Sequence, residues 1–199
     1  MSGIVAPAIL RGYSGKVPAR GDFVHAGLPR DFTDPWHDWQ SVVIAGSRSL
    51  MGEAWLDAFL EAPVWRFVLP SGSCGPRAAV GLIMPSVDKV GRYFPLSFVA
   101  LTDAGTPSAD DWTGWLDAVE VLGRLALDED APPDRLMPPP SPLSASVTTP
   151  DSLIGETMSV WWTDGGPRVE ASRLSLPGLP DAARFASMLG HLPPTESAS

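Results

Sequence analysis

The segment Gly15-Lys16-Val17-Pro18-Ala19-Arg20-Gly21-Asp22-Phe23 holds two glycines, a proline and three charged residues. Nothing in it recurs at a helix or strand period, and glycine and proline both interrupt regular structure. We therefore predict a loop, which follows a short candidate strand at Ile9 to Tyr13. The segment lacks the pattern of a phosphate-binding loop, GxxxxGK followed by Ser or Thr, because Val17 and Pro18 follow Lys16. No nucleotide site is expected here.

The composition around this loop narrows the class of protein. With 199 residues and 44% apolar content, the chain is long enough for one domain with a substantial core. The 23 acidic residues against 14 basic ones, a net charge of -9, argue against nucleic acid as a partner. The single cysteine, Cys74, excludes an intramolecular disulfide and favours a reducing compartment. No membrane-spanning run and no signal peptide are evident, so a cytoplasmic protein without membrane insertion is expected.

Two helices are predicted after the loop. Asp34 suits an N-cap and Pro35 the first helical position. Large apolar residues then recur at helical spacing up to Leu50. The segment Gly52 to Leu60 repeats the pattern and ends before Pro63, since the residue preceding a proline is pushed out of the helical region.

The second half of the chain contains two more predicted helices. One runs from a capping-box pattern at Ser108 to about Leu127, and a short one covers Asp181 to Leu189. Seven prolines between Asp128 and Pro150 predict an extended linker or a surface loop, and residues 192–199 predict a flexible tail. We expect a single domain over residues 1–199.

Apolar runs, some with period-two alternation, predict the strands of an antiparallel sheet. Besides Ile9 to Tyr13, the predicted strands are Val64 to Leu69, Ala78 to Met84, Tyr93 to Leu101, Ser159 to Thr163 and, as its return partner, Arg168 to Ser172. The short connection Pro85 to Arg92 makes its two flanking strands antiparallel neighbours. The sequence thus predicts an α/β (α+β) fold, with a mainly antiparallel central sheet of about five strands flanked by helices.

Catalytic and metal-binding patterns are weak. The three histidines, His25, His37 and His191, have no zinc-ligand spacing, and no serine lies in a GxSxG elbow. Cys74 reads as a turn residue, because nothing near it would lower its pKa. We expect no metal, no cofactor and no enzymatic activity.

Two groups of charged residues and one tryptophan pair remain as candidates for a partner-binding surface. They are Arg20, Asp22 and Arg30 near the first loop, Asp88, Lys89 and Arg92 in the strand connection, and Trp161 with Trp162. These charged residues are solvated, or they form ion pairs that brace the loops, or they form a surface that recognises a protein. Since adjacent strand residues face opposite ways, one tryptophan can enter the core while the other meets a second layer or solvent.

The motifs together resemble one known family, and the resemblance covers almost the whole chain. The matching segments are Gly15 to Phe23, Leu28-Pro29-Arg30, Trp36 with Trp39, Ala62 to Phe67, Met84 to Leu96, Trp161-Trp162 and Gly178-Leu179-Pro180. In this order and spacing they resemble the TagF family of type VI secretion accessory proteins. Two positions depart from the pattern: His37 stands where an acidic residue is common, and Gln40 where leucine is common.

The resemblance implies a cytoplasmic, non-enzymatic regulator that represses type VI secretion after translation by engaging a scaffold protein with a forkhead-associated domain. It also implies an antiparallel sheet flanked by helices, and it brings no catalytic residues. Our hypothesis is that the first loop lies beside the connection from Asp88 to Arg92 and forms part of the partner surface. The alternative is a small hydrolase that uses Asp22, His25 and Asp88.

Overall fold

Seven strands form one antiparallel sheet in the part of the chain that the structure describes. The structure is a computed structural model and describes residues 9–103, 105–128, 135–140 and 158–191. The strands are β1 (Ile9–Gly15), β2 (Val24–Ala26), β3 (Trp65–Leu69), β4 (Ala78–Met84), β5 (Leu96–Thr102), β6 (Met158–Thr163) and β7 (Ser172–Pro177). Their order across the sheet is β2-β1-β5-β4-β3-β6-β7, and every neighbouring pair is antiparallel.

Helices cover both faces of this sheet. They are α1 (Arg30–Met51), α2 (Trp55–Leu60), α3 (Thr113–Ala126) and α4 (Ala182–Met188), with 3₁₀ turns at Gly52–Ala54 and Asp110–Trp112. One apolar core joins the sheet to α1, α2 and α4, and a second joins its other face to α3. Because both faces are covered, β4 and β5 are buried along their whole length, which explains why their sequences are mainly apolar.

The predicted fold class is confirmed, and so is the antiparallel meander of β3, β4 and β5. The sheet nevertheless has seven strands in the described residues rather than about five. The added strand β2 has three residues, which is too short to show a period-two pattern. The strand predicted at Tyr93 to Leu101 begins only at Leu96, because Tyr93 bridges back to Val87 within the connecting loop.

The return strand after β6 begins later in the chain than the sequence predicts. Residues 166–169 form a turn in which the Gly166 N–H donates to the Val169 carbonyl at 2.8 Å. The strand therefore starts at Ser172 and runs to Pro177, with Leu174 and Leu176 packed against the core. The prediction of Arg168 to Ser172 is wrong because a wider turn occupies most of that segment.

The first helix begins one turn earlier than Asp34. Pro29 is its N-cap, and the Pro29 carbonyl accepts the N–H groups of Phe32 and Thr33. Pro35 thus lies inside the helix. Pro35 cannot donate the usual hydrogen bond to the carbonyl of residue 31, and the helix nevertheless continues through it to Met51.

The third and fourth predicted helices are present. The third starts through a 3₁₀ turn whose N-cap is Ala109, without a side-chain cap, so the capping box predicted at Ser108 does not cap it. In the fourth, the carboxylate of Asp181 accepts the Arg184 N–H at 2.7 Å.

Part of the proline-rich segment packs onto the domain. Leu136 is buried in the core on the α3 face. The carbonyl of Pro139 accepts hydrogen bonds from Arg11 Nη1 at 3.2 Å and from Trp115 Nε1 at 3.1 Å. Residues 135–140 are therefore attached to the sheet and to α3. Most of the predicted linker, residues 129–134 and 141–150, and the predicted tail at 192–199 lie outside the described residues.

A buried serine ties α1 to the sheet. Ser97 Oγ on β5 accepts hydrogen bonds from Trp36 Nε1 and from Gln40 Nε2, each at 3.1 Å. All three side chains are buried. Gln40, one of the two departures from the family pattern, therefore has a defined partner inside this core.

Candidate functional site

A buried ion pair joins the loop between β1 and β2 to the loop between β4 and β5. Lys16 Nζ lies 2.5 Å from Asp88 Oδ2, and the exposed fractions of the two side chains are 6% and 0%. Gly15 brings the lysine to this point by passing close to β5, because a Cβ there would lie 2.2 Å from the Pro95 carbonyl oxygen. A buried charge is costly unless it is paired. The pair therefore fixes both loops against each other.

Asp88 also organises its own loop. Its Oδ1 accepts the backbone N–H groups of Val90 at 3.0 Å and Arg92 at 2.9 Å, and its Oδ2 accepts Arg92 Nε at 2.7 Å. With Lys16, the carboxylate accepts four hydrogen bonds. Gly91 completes the turn with φ of 83°, a conformation that favours glycine.

These contacts determine the charge state of Asp88. Burial raises the pKa of the carboxyl, but the hydrogen bonds from Lys16, from the backbone and from Arg92 lower it by more. The net pKa lies below the ordinary value of an aspartate. Asp88 is therefore an ionised carboxylate at neutral pH and carries the charge that pairs with Lys16 and Arg92.

Backbone hydrogen bonds complete the connection between the loops. The Lys89 N–H donates to the Arg20 carbonyl at 2.9 Å, and Ser86 Oγ donates to the Lys16 carbonyl at 2.7 Å. Arg92 Nη2 donates to the carbonyl of Gly21. The first loop thus lies beside the Asp88 to Arg92 connection, as the sequence hypothesis requires.

The exposed side chains of these two loops form one surface, which we call the loop surface. It consists of Arg20, Asp22, Phe23, Lys89, Val90 and Arg92. Phe23 is 41% exposed and Val90 is 67% exposed, so the surface carries apolar as well as charged groups. With the buried pair included, four cations face two carboxylates, which leaves a local charge of about +2 on a chain of net charge -9.

Aromatic contacts hold Phe23 in place on this surface. Its ring lies edge-on to His37 at 4.9 Å and to Phe94 at 4.8 Å, measured between ring centroids. Lys16 Nζ lies 5.0 Å from the centroid of the same ring. The exposed phenylalanine is therefore anchored by the ion pair and by α1. Its position could not be inferred from the sequence, because its neighbours come from three separate segments.

Arg30 does not belong to this surface. The next residue, Asp31, accepts Arg77 Nη1 at 3.2 Å, and Arg77 immediately precedes β4. The loop surface follows the other end of β4, and at about 3.3 Å per residue the start of β4, next to Arg77, is roughly 23 Å from that end. The structure therefore separates Arg30 from the other predicted charged residues.

The tryptophan pair splits between the two faces of β6. Trp161 is fully buried and stacks on Trp36 with 6.3 Å between centroids. Trp162 faces the α3 side, half-buried, with the Arg173 guanidinium 5.6 Å from its ring. Trp161 and Asp88 are thus internal residues, and the expectation that they contact a partner directly is corrected. Trp162 lies away from the loop surface, since β6 and β1 are separated by three strands.

The residues of the hydrolase alternative do not form a catalytic group. Both oxygens of Asp88 are occupied and the side chain is closed to solvent. His25 is exposed on the edge strand β2, and Asp22 is exposed in the loop. A candidate general base must reach its substrate, and the Asp88 carboxylate is not accessible. Among the described residues, no group of three or more His, Cys, Asp or Glu is placed to hold a metal ion.

The fold and this surface define a class of protein: a single-sheet α+β domain whose two loops, locked by a buried ion pair, present a rigid basic and apolar patch at one end of the sheet. The chain belongs to the TagF N-terminal domain family, described as type VI secretion system-associated, whose model matches residues 12–138. It is therefore a type VI secretion-associated protein.

Comparison with solved structures extends beyond the matched region. The structure is similar to the crystal structure of PA0076 from Pseudomonas aeruginosa PAO1, with a TM-score of 0.75 and 31% sequence identity. The similarity covers 95% of this chain and 99% of that chain. It therefore takes in strands β6 and β7, which lie outside the family match. No curated protein matches the sequence. None of the helices in the described ranges combines the length and apolarity that a bilayer crossing requires.

Proposed function

We propose that this protein represses type VI secretion after translation, in the cytoplasm and without catalysis, by binding a scaffold component through its loop surface. The partner we propose is the scaffold protein with a forkhead-associated domain. The observation that carries the proposal is the buried pair Lys16–Asp88, which holds together the two loops that carry exposed Arg20, Lys89 and Phe23.

Rigidity and charge both support a binding role for this surface. Binding costs less when the contacting groups are already ordered, because fewer side chains and loops lose freedom on association. Aromatic and arginine side chains are also enriched at protein interfaces. A basic patch on an otherwise acidic protein accelerates encounter with an acidic surface and rejects basic ones. The loop surface combines all three properties.

The test is charge reversal at Arg20 and Lys89, the two exposed cations of the loop surface that form no side-chain ion pair among the described residues. Arg92 is left intact, because a glutamate there would face Asp88. We expect Arg20→Glu with Lys89→Glu to weaken binding of the purified scaffold protein about tenfold at low salt, and the difference from wild type to shrink as salt increases. In cells that carry the secretion cluster, the same variant should fail to co-purify with the scaffold protein and should not repress secretion.

Arg184→Glu provides the matched control. Arg184 is exposed at the start of α4, away from the loop surface, and an acidic side chain in the first turn of a helix is favourable. Its affinity for the scaffold protein should equal that of wild type, and all variants should keep the wild-type thermal midpoint. An unchanged affinity of the double variant, or an equal loss in the control, would contradict the proposal.

A further inference from the structure

A groove lies at the same end of the sheet as the loop surface. It has a volume of about 340 Å³, at the lower end of the range of about 300–1,000 Å³ for ligand pockets. Its walls are the segment 60–64 after α2, Met84 and Pro85 at the end of β4, the end of α3 at Arg124 and Leu127, and the turn 165–167. A smaller apolar cavity of about 20 Å³ shares Ala62, Pro63, Met84 and Pro85 with it.

The rim of the groove carries two exposed leucines beside two charged residues, Glu61 and Arg124. Leu60 is 50% exposed and Leu127 is 38% exposed. The charged side chains around it are already paired: Arg124 Nη2 lies 2.7 Å from Glu120, and Arg168 Nε lies 2.5 Å from Glu61. Large exposed apolar side chains beside a concave surface are typical of a site that receives another apolar group.

The loop between β4 and β5 connects the groove to the loop surface. Pro85 lines the groove, and Lys89 on the loop surface lies four residues further along the chain. Four residues span at most about 14 Å. An extended segment of similar length in a partner can therefore contact both sites together.

We infer that the groove receives an apolar side chain from the same partner segment whose acidic residues contact the loop surface. The occupant is thus an acidic segment of the partner with one large apolar anchor. The partner segment is inferred to be acidic from charge complementarity, since exposed Arg20, Lys89 and Arg92 outnumber Asp22 on the loop surface. This inference rests on the proposed function, because it assigns a second contact to the same partner.

The test replaces the apolar rim. Leu60→Gln with Leu127→Gln replaces each leucine by a polar side chain of comparable size, and it should weaken binding of the purified scaffold protein at least about tenfold. The control is Val121→Gln with Leu125→Gln on α3, at exposed positions outside the groove lining. It should bind as wild type does. Unlike the charge reversal, the rim variant should keep its effect at high salt, because the lost contact is apolar.

The outcomes separate the inference from the proposed function. If charge reversal weakens binding and the rim variant does not, the inference is wrong and the loop surface stands as the binding site. If the wild-type protein does not bind the scaffold protein, both are wrong. Equal losses in the rim variant and its control also overturn the inference. Should the rim variant fold poorly, a photo-crosslinking residue at Leu127 replaces it: crosslinks to the scaffold protein from Leu127 but not from Val121 support the inference, and their absence at Leu127 overturns it.

Discussion

Replacing Asp88 by asparagine should destabilise the protein strongly, although the two side chains have nearly the same shape. All four groups that contact the carboxylate are donors: Lys16 Nζ and Arg92 Nε at one oxygen, and the N–H groups of Val90 and Arg92 at the other. An asparagine keeps one acceptor oxygen and turns an NH₂ group toward the other two donors. At least two hydrogen bonds are lost, and Lys16 stays buried without its counter-ion.

The magnitude follows from that unpaired charge. Removing one partner of a buried ion pair costs about 3–5 kcal/mol in the free energy of unfolding. For a chain of this size, each kcal/mol lowers the thermal midpoint by roughly 2–4 °C. Asp88→Asn should therefore lower the thermal midpoint by about 6–20 °C at neutral pH. Chemical denaturation followed by tryptophan fluorescence measures the free energy, and calorimetry measures the midpoint.

The free energy of unfolding that Asp88→Asn loses should also depend on pH, and it should be smaller at acidic pH. The pKa of Asp88 is lowered in the folded protein, so its contribution is fully present above the ordinary pKa of an unfolded aspartate, about 3.9. That contribution is lost as the pH falls from there toward the lower folded pKa. The difference in free energy between wild type and Asp88→Asn should therefore narrow at acidic pH.

Lys16→Met provides the comparison. It removes the lysine charge but leaves Asp88 with Arg92 and two backbone donors, so we expect a smaller loss than for Asp88→Asn. A loss below about 1 kcal/mol for Asp88→Asn, in the range of an exposed ion pair, would refute the view that this pair fixes the two loops. So would a difference that stays constant with pH.

Two further predictions concern buried groups away from the loop surface. Ser97→Ala should cost roughly 2–4 kcal/mol in the free energy of unfolding, since it leaves the buried donors of Trp36 and Gln40 without an acceptor. Gln40→Leu removes one of these donors and should cost much less. Chemical denaturation measures both losses, and equal losses would contradict this prediction. Cys74 is buried, and burial raises the pKa of its thiol to about 12. It should react with a thiol reagent at pH 8 only after denaturant is added, and fast labelling of the native protein would show that the thiol is accessible.

Local sequence patterns predicted the elements whose apolar pattern extends over many residues. They missed the elements that depend on contacts with distant parts of the chain. The apolar runs of β4 and β5 and the face of α3 were evident because burial on both sides of the sheet requires them. Strand β2 and the position of β7 depend on pairing with β1 and β6, which short segments do not encode. The start of α1 was misplaced because Pro35 suits a helix start, while the helix tolerates it one turn further in.

The surface was predicted in outline, but the role of its members was not. The sequence placed Arg20 and Asp88 in neighbouring loops, yet it could not show that Asp88 is internal while Arg20 is exposed. The sequence pattern around Lys16, the partner of Asp88, tests only for a phosphate-binding loop and excludes it. A pairing across 72 positions leaves no local pattern. The groove was missed for the same reason, because its walls come from four separate segments.

Strands β6 and β7 lie beyond the end of the family match at residue 138, yet they belong to the same sheet as the matched strands. Phe67 on β3 pairs with Trp161 on β6, and Trp65 Nε1 donates to the carbonyl of Met188 at 3.0 Å. A fragment that stopped at residue 138 would turn β3 into a bare sheet edge and uncover its aromatic face. Such an edge invites strand-to-strand self-association. We therefore expect the smallest unit that folds by itself to include residues 158–191, beyond the end of the family match at residue 138.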